Sequence, residues 1–450
     1  MNTETMQGTG VSKMVSQGMS VMQGSGKWLA LTAAILGWMF DGLEMGLFPL
    51  VARPAMLELL GPGGPERIGT WMSAIIAVFL VGAACGGIVL GWLGDRIGRT
   101  RAMFWSVLVY SIFSGLCAFV TAPWQLAGLR FIAALGMGGQ WALGVALVME
   151  IFPNKSRPLM AGLIGASANV GFLLIALLSL GLTSFIASAN TILHGILPDT
   201  WVTTLLQNGS WRLLMLLGAA PALLTFFIRI FVPESEMWEA SNKKIKVKVS
   251  VAELFQGGLA KYTLIGACLG AVALLGTWGS VQWIPSWASK LTNKAPGVRE
   301  TVQICSALGA IVFSLGFAFI AEKLNRRIAY FGLAALSLIA CAVLFRIPME
   351  YGTGFKFWTF FVGGITAGFY GWLPLYLPEL FPTRVRATGS GFAFNSGRLL
   401  AAGGTLVSGQ LLNSFHEDYA KMCSVISLVY VVGLILIWFA PETKGKPLPE

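Results

Sequence analysis

Apolar runs of about 20 residues recur along nearly the whole chain, and short polar or charged stretches separate them. A run of that length is what an α-helix needs to cross the hydrocarbon core of a membrane. The pattern predicts an all-α membrane protein with twelve transmembrane helices, at roughly 28–52, 70–93, 102–121, 124–149, 158–187, 211–231, 262–288, 302–321, 328–346, 355–377, 387–413 and 420–440.

Composition and charge agree with this pattern. Only 11% of the residues are charged and the mean hydropathy is +0.73, whereas soluble domains carry about 25% charged residues. If the N-terminus is cytoplasmic, 20 of the 31 Lys and Arg residues fall on cytoplasmic segments and nine on the opposite side. That bias is the positive-inside rule. The net charge of +11 therefore indicates a multi-pass protein of the cell membrane with both termini in the cytoplasm, and it does not indicate a nucleic-acid partner.

Three short charged motifs in the first half of the chain return in the second half, in the same order and at matching positions between spans. Two parallel halves with the substrate site between them are a known transporter architecture. The motif pairs are "GDRIGR" (94–99) with "AEKLNR" (321–326), "EIFPNKSR" (150–157) with "ELFPTRVR" (379–386), and "VPESE" (232–236) with "APETK" (440–444).

The repeat predicts two pseudo-symmetric six-helix halves joined by a charged linker. Residues 1–26 are rich in Met, Gln, Gly and Ser and predict a disordered tail, without the apolar core of a cleavable signal peptide. The predicted segments are a cytoplasmic tail over 1–27, the first half over 28–232, the linker over 233–260, the second half over 261–440 and a second tail over 441–450.

Several of these segments resemble a known transporter family. "GWLGDRIGR" (91–99) is similar to the signature loop of the major facilitator superfamily, and "RFIAALGMGG" (130–139) to its fourth-span motif. "PESEMW" (233–238) and "PETKGK" (441–446) resemble the sugar-porter and metabolite:proton symporter branches. The resemblance implies the major facilitator fold and transport by alternating access.

The repeated charged motifs predict a gate that holds the halves together at the cytoplasmic side, as the resemblance implies for the outward-facing state. The alternative is that these charges only anchor helix ends and topology. The candidate gate residues are Gly94, Asp95, Arg96, Gly98, Arg99, Glu150, Arg157, Glu322, Arg326, Glu379 and Arg386.

Four charged residues lie well inside predicted spans, more than three residues from either end, namely Asp41, Glu44, Arg130 and Arg398. Intramembrane charges mark ion or substrate pathways by default. Asp41 and Glu44 stand at i and i+3, on one face of a helix, and predict a proton-binding site. The resemblance to sugar porters implies that Asp41 pairs with Arg130 and that protonation releases this pair. A static ion pair that orders the bundle is the alternative.

Arg398 is the candidate for substrate recognition. An unpaired Arg near the membrane midplane costs roughly 3 kcal/mol or more, and its guanidinium matches a carboxylate bidentately. We therefore predict an organic-anion substrate, with an ion pair to an acid of the first half as the alternative. The further candidates for binding the substrate are Asn395, Gln140, Trp141, Asn169, Trp278, Gln282 and Tyr370.

The sequence thus predicts proton-coupled import of a small carboxylate, such as an aromatic, hydroxy or sugar acid. Sugar or polyol transport is the first alternative, but the sugar-binding amides of sugar porters are absent. Gly165 and Phe172 stand at the fifth-span positions, and span seven reads "LLGTWGSVQWIP". Efflux and a sensor role remain further alternatives. We expect a monomer that is not an enzyme and has no cofactor or metal.

Overall fold

The computed structural model of the protein describes residues 5–61, 64–151, 157–184, 186–223, 251–382 and 385–445, and these ranges are almost entirely helical. The α-helices are α1 (Thr5–Leu60), α2 (Ile68–Ile97), α3 (Arg99–Leu116), α4 (Pro123–Ile151), α5 (Arg157–Ser184), α6 (Ile186–His194), α7 (Asp199–Leu217), α8 (Gly257–Gly279), α9 (Ile284–Leu291), α10 (Val298–Lys323), α11 (Arg326–Arg346), α12 (Thr353–Tyr376), α13 (Arg386–Ser414), α14 (Tyr419–Ile426) and α15 (Val429–Leu436). Short 3-10 helices cover Pro65–Arg67, Cys117–Phe119, Val251–Phe255, Val281–Trp283, Leu377–Leu380 and Ile437–Phe439.

Nine of the twelve predicted spans coincide with helices in the described residues that are long and apolar enough to cross a membrane. The other three are 124–149, 211–231 and 387–413. Helices α4 and α13 cover the first and third of these with 29 residues each, which is sufficient length. Of the span 211–231, residues 224–231 lie outside the described residues. The count of twelve therefore stays a prediction.

Two predicted boundaries differ from the structure or fall outside it. Helix α1 begins at Thr5, within the stretch 1–26 for which the sequence predicts a disordered tail. This stretch contains no proline and several Met and Gln residues, which favour helix, so the helix of the first span continues into it. The predicted linker over 233–260 lies outside the described residues as far as residue 250.

The described helices pack in two similar groups. In the first half α2 packs on α4 and α1 on α5, and in the second half α8 packs on α13 and α10 on α12. Small residues let these backbones approach closely. A Cβ atom at Gly42 would lie only 1.8 Å from the backbone oxygen of Ala168, so α1 and α5 meet where only glycine fits.

The halves contact each other mainly through α2 with α13 and α5 with α10. At the predicted outer end, hydrogen bonds join them: Asn413 Nδ2 donates to Thr70 Oγ1 over 2.9 Å, and Arg53 Nη1 donates to the Tyr419 hydroxyl over 3.4 Å. Arg299 also donates to the carbonyl of Leu50. These contacts close the predicted outer end of the bundle.

Candidate functional site

A cavity that is partly open to solvent lies between the two halves, and its empty space is about 1000 Å³ when the solvent at its mouth is included. Its aromatic lining comes from both halves and consists of Trp38, Phe79, Phe172, Trp278, Tyr370 and Phe394. Its polar lining is made mainly by Asn169, Thr277, Gln282, Gln303, Ser306, Thr366 and Arg398. A mostly apolar cleft with a few polar groups is typical of a small-molecule site.

Arg398 is the charged residue among the described residues that line this cavity, and it is only 4% exposed. Its Nη1 atom donates to Asn395 Oδ1 over 3.0 Å and to the backbone oxygen of Ala83 over 3.4 Å. The guanidinium lies 5.0 Å from the ring centre of Phe394. Both hydrogen bonds made with the described residues use Nη1, which leaves Nε and Nη2 for an anionic ligand.

Asn395 holds the guanidinium of Arg398 in place. It stands three residues before Arg398 on α13, and its own amide donates to the Gly391 carbonyl over 2.8 Å. A Cβ at Gly87 of α2 would lie 2.3 Å from Asn395 Nδ2, so the Asn395 side chain packs directly on that glycine. Asn395 does not line the cavity, and it acts through Arg398.

The two acids of α1 point away from the cavity, each by a different angle. Trp38 and Met45 both line it, because they stand two helical turns apart. At 100° per residue, Asp41 points about 60° and Glu44 about 120° away from Trp38. Both acids are fully buried. The two carboxylates that the sequence places together therefore face different neighbours.

Glu44, and not Asp41, forms the ion pair with Arg130, so the pairing implied by the resemblance is wrong. The Arg130 guanidinium donates to Glu44 Oε1, and both side chains are buried. The reason is the register of two antiparallel helices, since Ala34 faces Gly144 and Gly37 faces Gln140. In this register Asp41 stands opposite residues 136 and 137 of α4, which are six to seven residues, or about 10 Å, from Arg130, and Glu44 stands about 4.5 Å nearer.

Aromatic rings pack on the cation of this ion pair. The Arg130 guanidinium lies 4.7 Å from the ring centre of Phe79 and 5.2 Å from that of Phe48. Phe79 itself lines the cavity, with its ring 5.7 Å from that of Trp278. The Glu44–Arg130 pair is therefore separated from the cavity by an aromatic layer.

Asp41 has no hydrogen-bond partner on either carboxylate oxygen among the described residues. The Tyr110 hydroxyl is also buried, and it too has no hydrogen-bond partner in the part of the chain that the structure describes.

The structure brings most of the predicted substrate residues together. Besides Arg398, the cavity is lined by Asn169, Trp278, Gln282 and Tyr370, and the Tyr370 hydroxyl donates to Thr277 Oγ1 over 3.1 Å. Asn169 and Arg398, one from each half, both line the cavity.

Two other predicted substrate residues, Gln140 and Trp141, are not among the described side chains that line the cavity. Gln140 is buried beside Gly37 of α1 and does not line the cavity, because it faces into the first half. The side chain of Trp141 lies outside the described residues.

Sequence reasoning missed several residues of the cavity. Gln303 of α10 donates to the carbonyl of Gly46 over 2.9 Å, and its Oε1 has no partner among the described residues. Trp38 and Thr366 also line the cavity. Trp38 could have been found, since it stands one turn before Asp41. No comparable signal marks Gln303 or Thr366.

The candidate gate residues are only partly described. Gly94 is buried, and Gly98 separates α2 from α3 with a φ of 106°, a conformation that favours glycine. The side chains of Asp95, Arg96, Arg99, Glu150, Arg157, Glu322 and Arg386 lie outside the described residues.

Arg326 and Glu379, both described, form a two-pronged ion pair of 2.8 and 3.0 Å. Thr443 donates to the same carboxylate over 2.6 Å. These contacts tie together three segments of the second half alone, so this pair does not clamp one half to the other.

Glu442 completes this cluster by accepting backbone N–H groups of Arg326, Arg327, Thr443 and Lys444. Partial burial raises the pKa of the Glu442 carboxyl, but these hydrogen bonds together outweigh burial, and its pKa lies below the ordinary value.

Comparison with known proteins identifies what this architecture is similar to. The model of the Major Facilitator Superfamily matches residues 28–405. The cis,cis-muconate transport protein of Acinetobacter baylyi is 28% identical over 437 residues, covering 94% of this chain and 97% of that protein. The niacin transporter NiaP of the same species is 25% identical and covers 92% and 93%.

The fold has a close counterpart among solved structures. The xylose transporter XylE from E. coli, in a partially occluded inward-open conformation, has a TM-score of 0.71 at 16% identity. The alignment covers 94% of this chain and 100% of that chain. At this identity the likeness concerns the fold.

Proposed function

The chain belongs to the major facilitator superfamily, and we propose that it imports a small organic anion together with a proton by alternating access. The family consists of membrane transporters, in agreement with the expectation that the chain is not an enzyme. We propose a monomer, because one chain supplies both walls of the cavity. The proposed location is the cell membrane with both termini in the cytoplasm, in accordance with the distribution of Lys and Arg along the sequence.

The observation that carries the proposal is a single buried guanidinium at the wall of an aromatic cavity. Arg398 has two nitrogen atoms that are not engaged by the described residues, and a carboxylate matches such a pair of donors. Trp38, Phe79 and Trp278 offer flat apolar surfaces suited to a planar substrate body. A conjugated or aromatic carboxylate can contact both the guanidinium and the aromatic walls of the site.

The relatives support this substrate class. Muconate and niacin are both planar carboxylic acids, and the two relatives named for them align with more than nine-tenths of this chain. Because these relatives are 25 to 28% identical, they support the class of substrate and not its identity.

Proton coupling is proposed for the layer of charges beside the cavity. Asp41, Glu44 and Arg130 are buried together, and buried acids next to a substrate path are the groups that carry protons in transporters. The charged motifs at the predicted cytoplasmic end form the proposed gate, within which the Arg326–Glu379 pair joins segments of the second half to one another.

Sugar transport is the second candidate, since the cavity carries the amides Asn169, Gln282 and Gln303. Against it, Gly165 and Phe172 line the same cavity at the positions where sugar porters have glutamines. A hydroxyl-rich ligand would meet an apolar surface there.

Uptake by vesicles containing the purified protein tests the proposal. We expect labelled nicotinate or cis,cis-muconate to accumulate when the inside is made alkaline, and a protonophore to abolish the accumulation. Xylose should not accumulate. Accumulation of xylose but of neither acid would contradict the organic-anion function, and accumulation only under a reversed proton gradient would identify an exporter.

A further inference from the structure

Several polar side chains of the cavity wall use their hydrogen-bond donors on the protein itself. Asn169 Nδ2 donates to the carbonyl of Gly165 over 3.0 Å, and the Tyr370 hydroxyl donates to Thr277 Oγ1. The hydroxyls of Thr277 and Thr366 donate to backbone carbonyls of their own helices, over 3.0 and 2.7 Å. Since a hydroxyl group has one proton and two lone pairs, these three hydroxyls can offer a ligand only an acceptor.

Gln303 is the clearest acceptor of this wall, because its amide nitrogen is engaged twice. Nε2 donates to the carbonyl of Gly46 over 2.9 Å and to that of Phe172 over 3.3 Å. These two contacts determine which end of the amide is nitrogen, since an oxygen at that place would face two other acceptors. Oε1 therefore stands at the other end of the amide, and it has no hydrogen-bond partner among the described residues.

The Oε1 atom of Gln303 is a buried acceptor that a ligand can satisfy. The side chain is only 4% exposed and lines the cavity, while its nitrogen is turned toward α1 and α5. A buried polar group without a hydrogen bond is unfavourable, so a donor brought into the cavity gains a bond that the protein does not supply. An acceptor at the same place would face oxygen with oxygen. Gln282, the other glutamine of the lining, can offer a donor as well as an acceptor.

Gln303 and Arg398 stand on different sides of the cavity. Arg398 belongs to α13 at the contact with α2, where it donates to the carbonyl of Ala83. Gln303 belongs to α10 at the contact with α5 and α1. These are the two separate interfaces through which the halves mainly meet. A ligand held by its carboxylate at Arg398 therefore presents to Gln303 the groups that are remote from that carboxylate.

We propose that Gln303 is a specificity residue whose Oε1 accepts a hydrogen bond from a hydroxyl or N–H group that the substrate carries away from its carboxylate. The inference rests on the proposed function and deepens it, because it narrows the substrates from planar carboxylates in general to those that also carry such a donor. The two ends of the substrate are then recognised by opposite chemistry. Arg398 donates to the carboxylate, and Gln303 accepts from the remote donor.

Matched ligands test the inference on the wild-type protein, so that the result does not depend on the folding of a variant. Calorimetry with the purified full-length protein compares 3- and 4-hydroxybenzoate with benzoate and with 3- and 4-fluorobenzoate. Fluorine is close to a hydroxyl group in size and carries no donor. We expect at least one hydroxy acid to bind about tenfold more tightly than benzoate and than its fluoro counterpart. Hydroxy acids that bind no more tightly than their fluoro counterparts overturn the inference.

Gln303→Met then tests whether the preference belongs to Gln303, because methionine is of similar length and its thioether is only a weak acceptor. We expect this variant to bind a hydroxy acid and its fluoro counterpart equally. Loss of packing alone would weaken both ligands alike and leave the ratio of their affinities unchanged. Gln125→Met is the matched control and should keep the wild-type ratio, since Gln125 lies at the start of α4, where its Oε1 accepts the N–H of Thr121. A wild-type ratio in Gln303→Met overturns the assignment.

Failure of this inference is distinguishable from failure of the proposed function. If the wild type binds benzoate, nicotinate or cis,cis-muconate at least as tightly as both hydroxy acids, the donor requirement is refuted and the organic-anion function stands. A protein that binds none of these acids refutes the proposed function itself.

Discussion

Glu44 and Arg130 form an ion pair in which the side chains are 0% and 2% exposed, one helical turn away from Asp41, which has no such partner among the described residues. The pair joins α1 to α4, and aromatic rings pack on its cation. If this ion pair only positions the helices, substituting Glu44 or Arg130 by a neutral residue should lower the stability of the protein. If Asp41 carries the proton, as proposed, substituting it by a neutral residue should instead affect proton-driven uptake.

Breaking the Glu44–Arg130 pair should destabilise the protein. Removing one partner leaves a buried charge without compensation, which costs about 3–5 kcal/mol. We expect Glu44→Gln and Arg130→Gln each to lower the melting temperature in detergent, and the double variant to recover part of the loss. Single variants that are as stable as the wild type would argue against a positioning role.

Arg398→Gln should weaken the binding of carboxylates by about 10- to 100-fold, because hydrogen bonds to charged groups contribute about 1.5–3 kcal/mol. Arg398→Lys should restore little, since an ammonium lacks the two-pronged donor geometry. Calorimetry with nicotinate measures both. Arg346→Gln is the matched control, because Arg346 lies at the end of α11 and contacts Ser424. Equal affinity in Arg398→Gln and wild type would disprove carboxylate recognition by Arg398.

Gly42→Ala should impair folding, because the added methyl group would lie 1.8 Å from the Ala168 carbonyl oxygen and a backbone must shift. Overpacking of this kind costs about 1–3 kcal/mol or more. Gly91→Ala on α2 is the control, since a Cβ there meets nothing within 4 Å. Thermal unfolding of the two variants should differ clearly, and equal melting temperatures would show that α1 and α5 are less tightly packed.

Gly87→Ala tests the support of Arg398. Its methyl group would lie 2.3 Å from Asn395 Nδ2, so the Asn395 side chain must move and Arg398 loses an acceptor. We expect several-fold weaker carboxylate binding with a small change in melting temperature, because a side-chain amide yields more easily than backbone. Unchanged nicotinate affinity would show that Arg398 is held by other contacts. Gly91→Ala serves as the control here as well.

The stability of the protein should depend on pH through Glu442, which lies at the predicted cytoplasmic end. Its pKa is lower in the folded protein than in the unfolded chain, so its contribution to stability is present above the unfolded pKa and disappears as the pH falls through the folded one. Glu442→Gln should lower the melting temperature at pH 7 and have little effect below that range. An equal effect at both pH values would contradict the role of its charge.

The class of fold and the location of the site were predictable from the sequence because they depend on long-range patterns. Apolar run length predicts spans, and the repeat relates Asn169 to Arg398, both of which line the cavity. Hydropathy identified α13 less clearly as a membrane span, since Arg398, Asn395 and several glycines make this helix less apolar than the others.

Contacts that depend on register were not predictable. Whether Arg130 meets Asp41 or Glu44 is decided by a shift of about 4.5 Å along α1, which the sequence does not reveal. The role of Asn395 likewise depends on Gly87 of another helix. Gln303 lies in a helix whose sequence pattern does not distinguish its cavity face from its packed face.

The hydrogen bond from Arg398 to the Ala83 carbonyl spans the boundary between the halves. When the halves tilt relative to each other, this contact must lengthen or change, and the orientation of the guanidinium changes with it. The two end states of the cycle will then hold the same anion with different strengths. We expect a kinetic asymmetry, with unequal half-saturation concentrations for entry and exit measured on the two faces of the membrane.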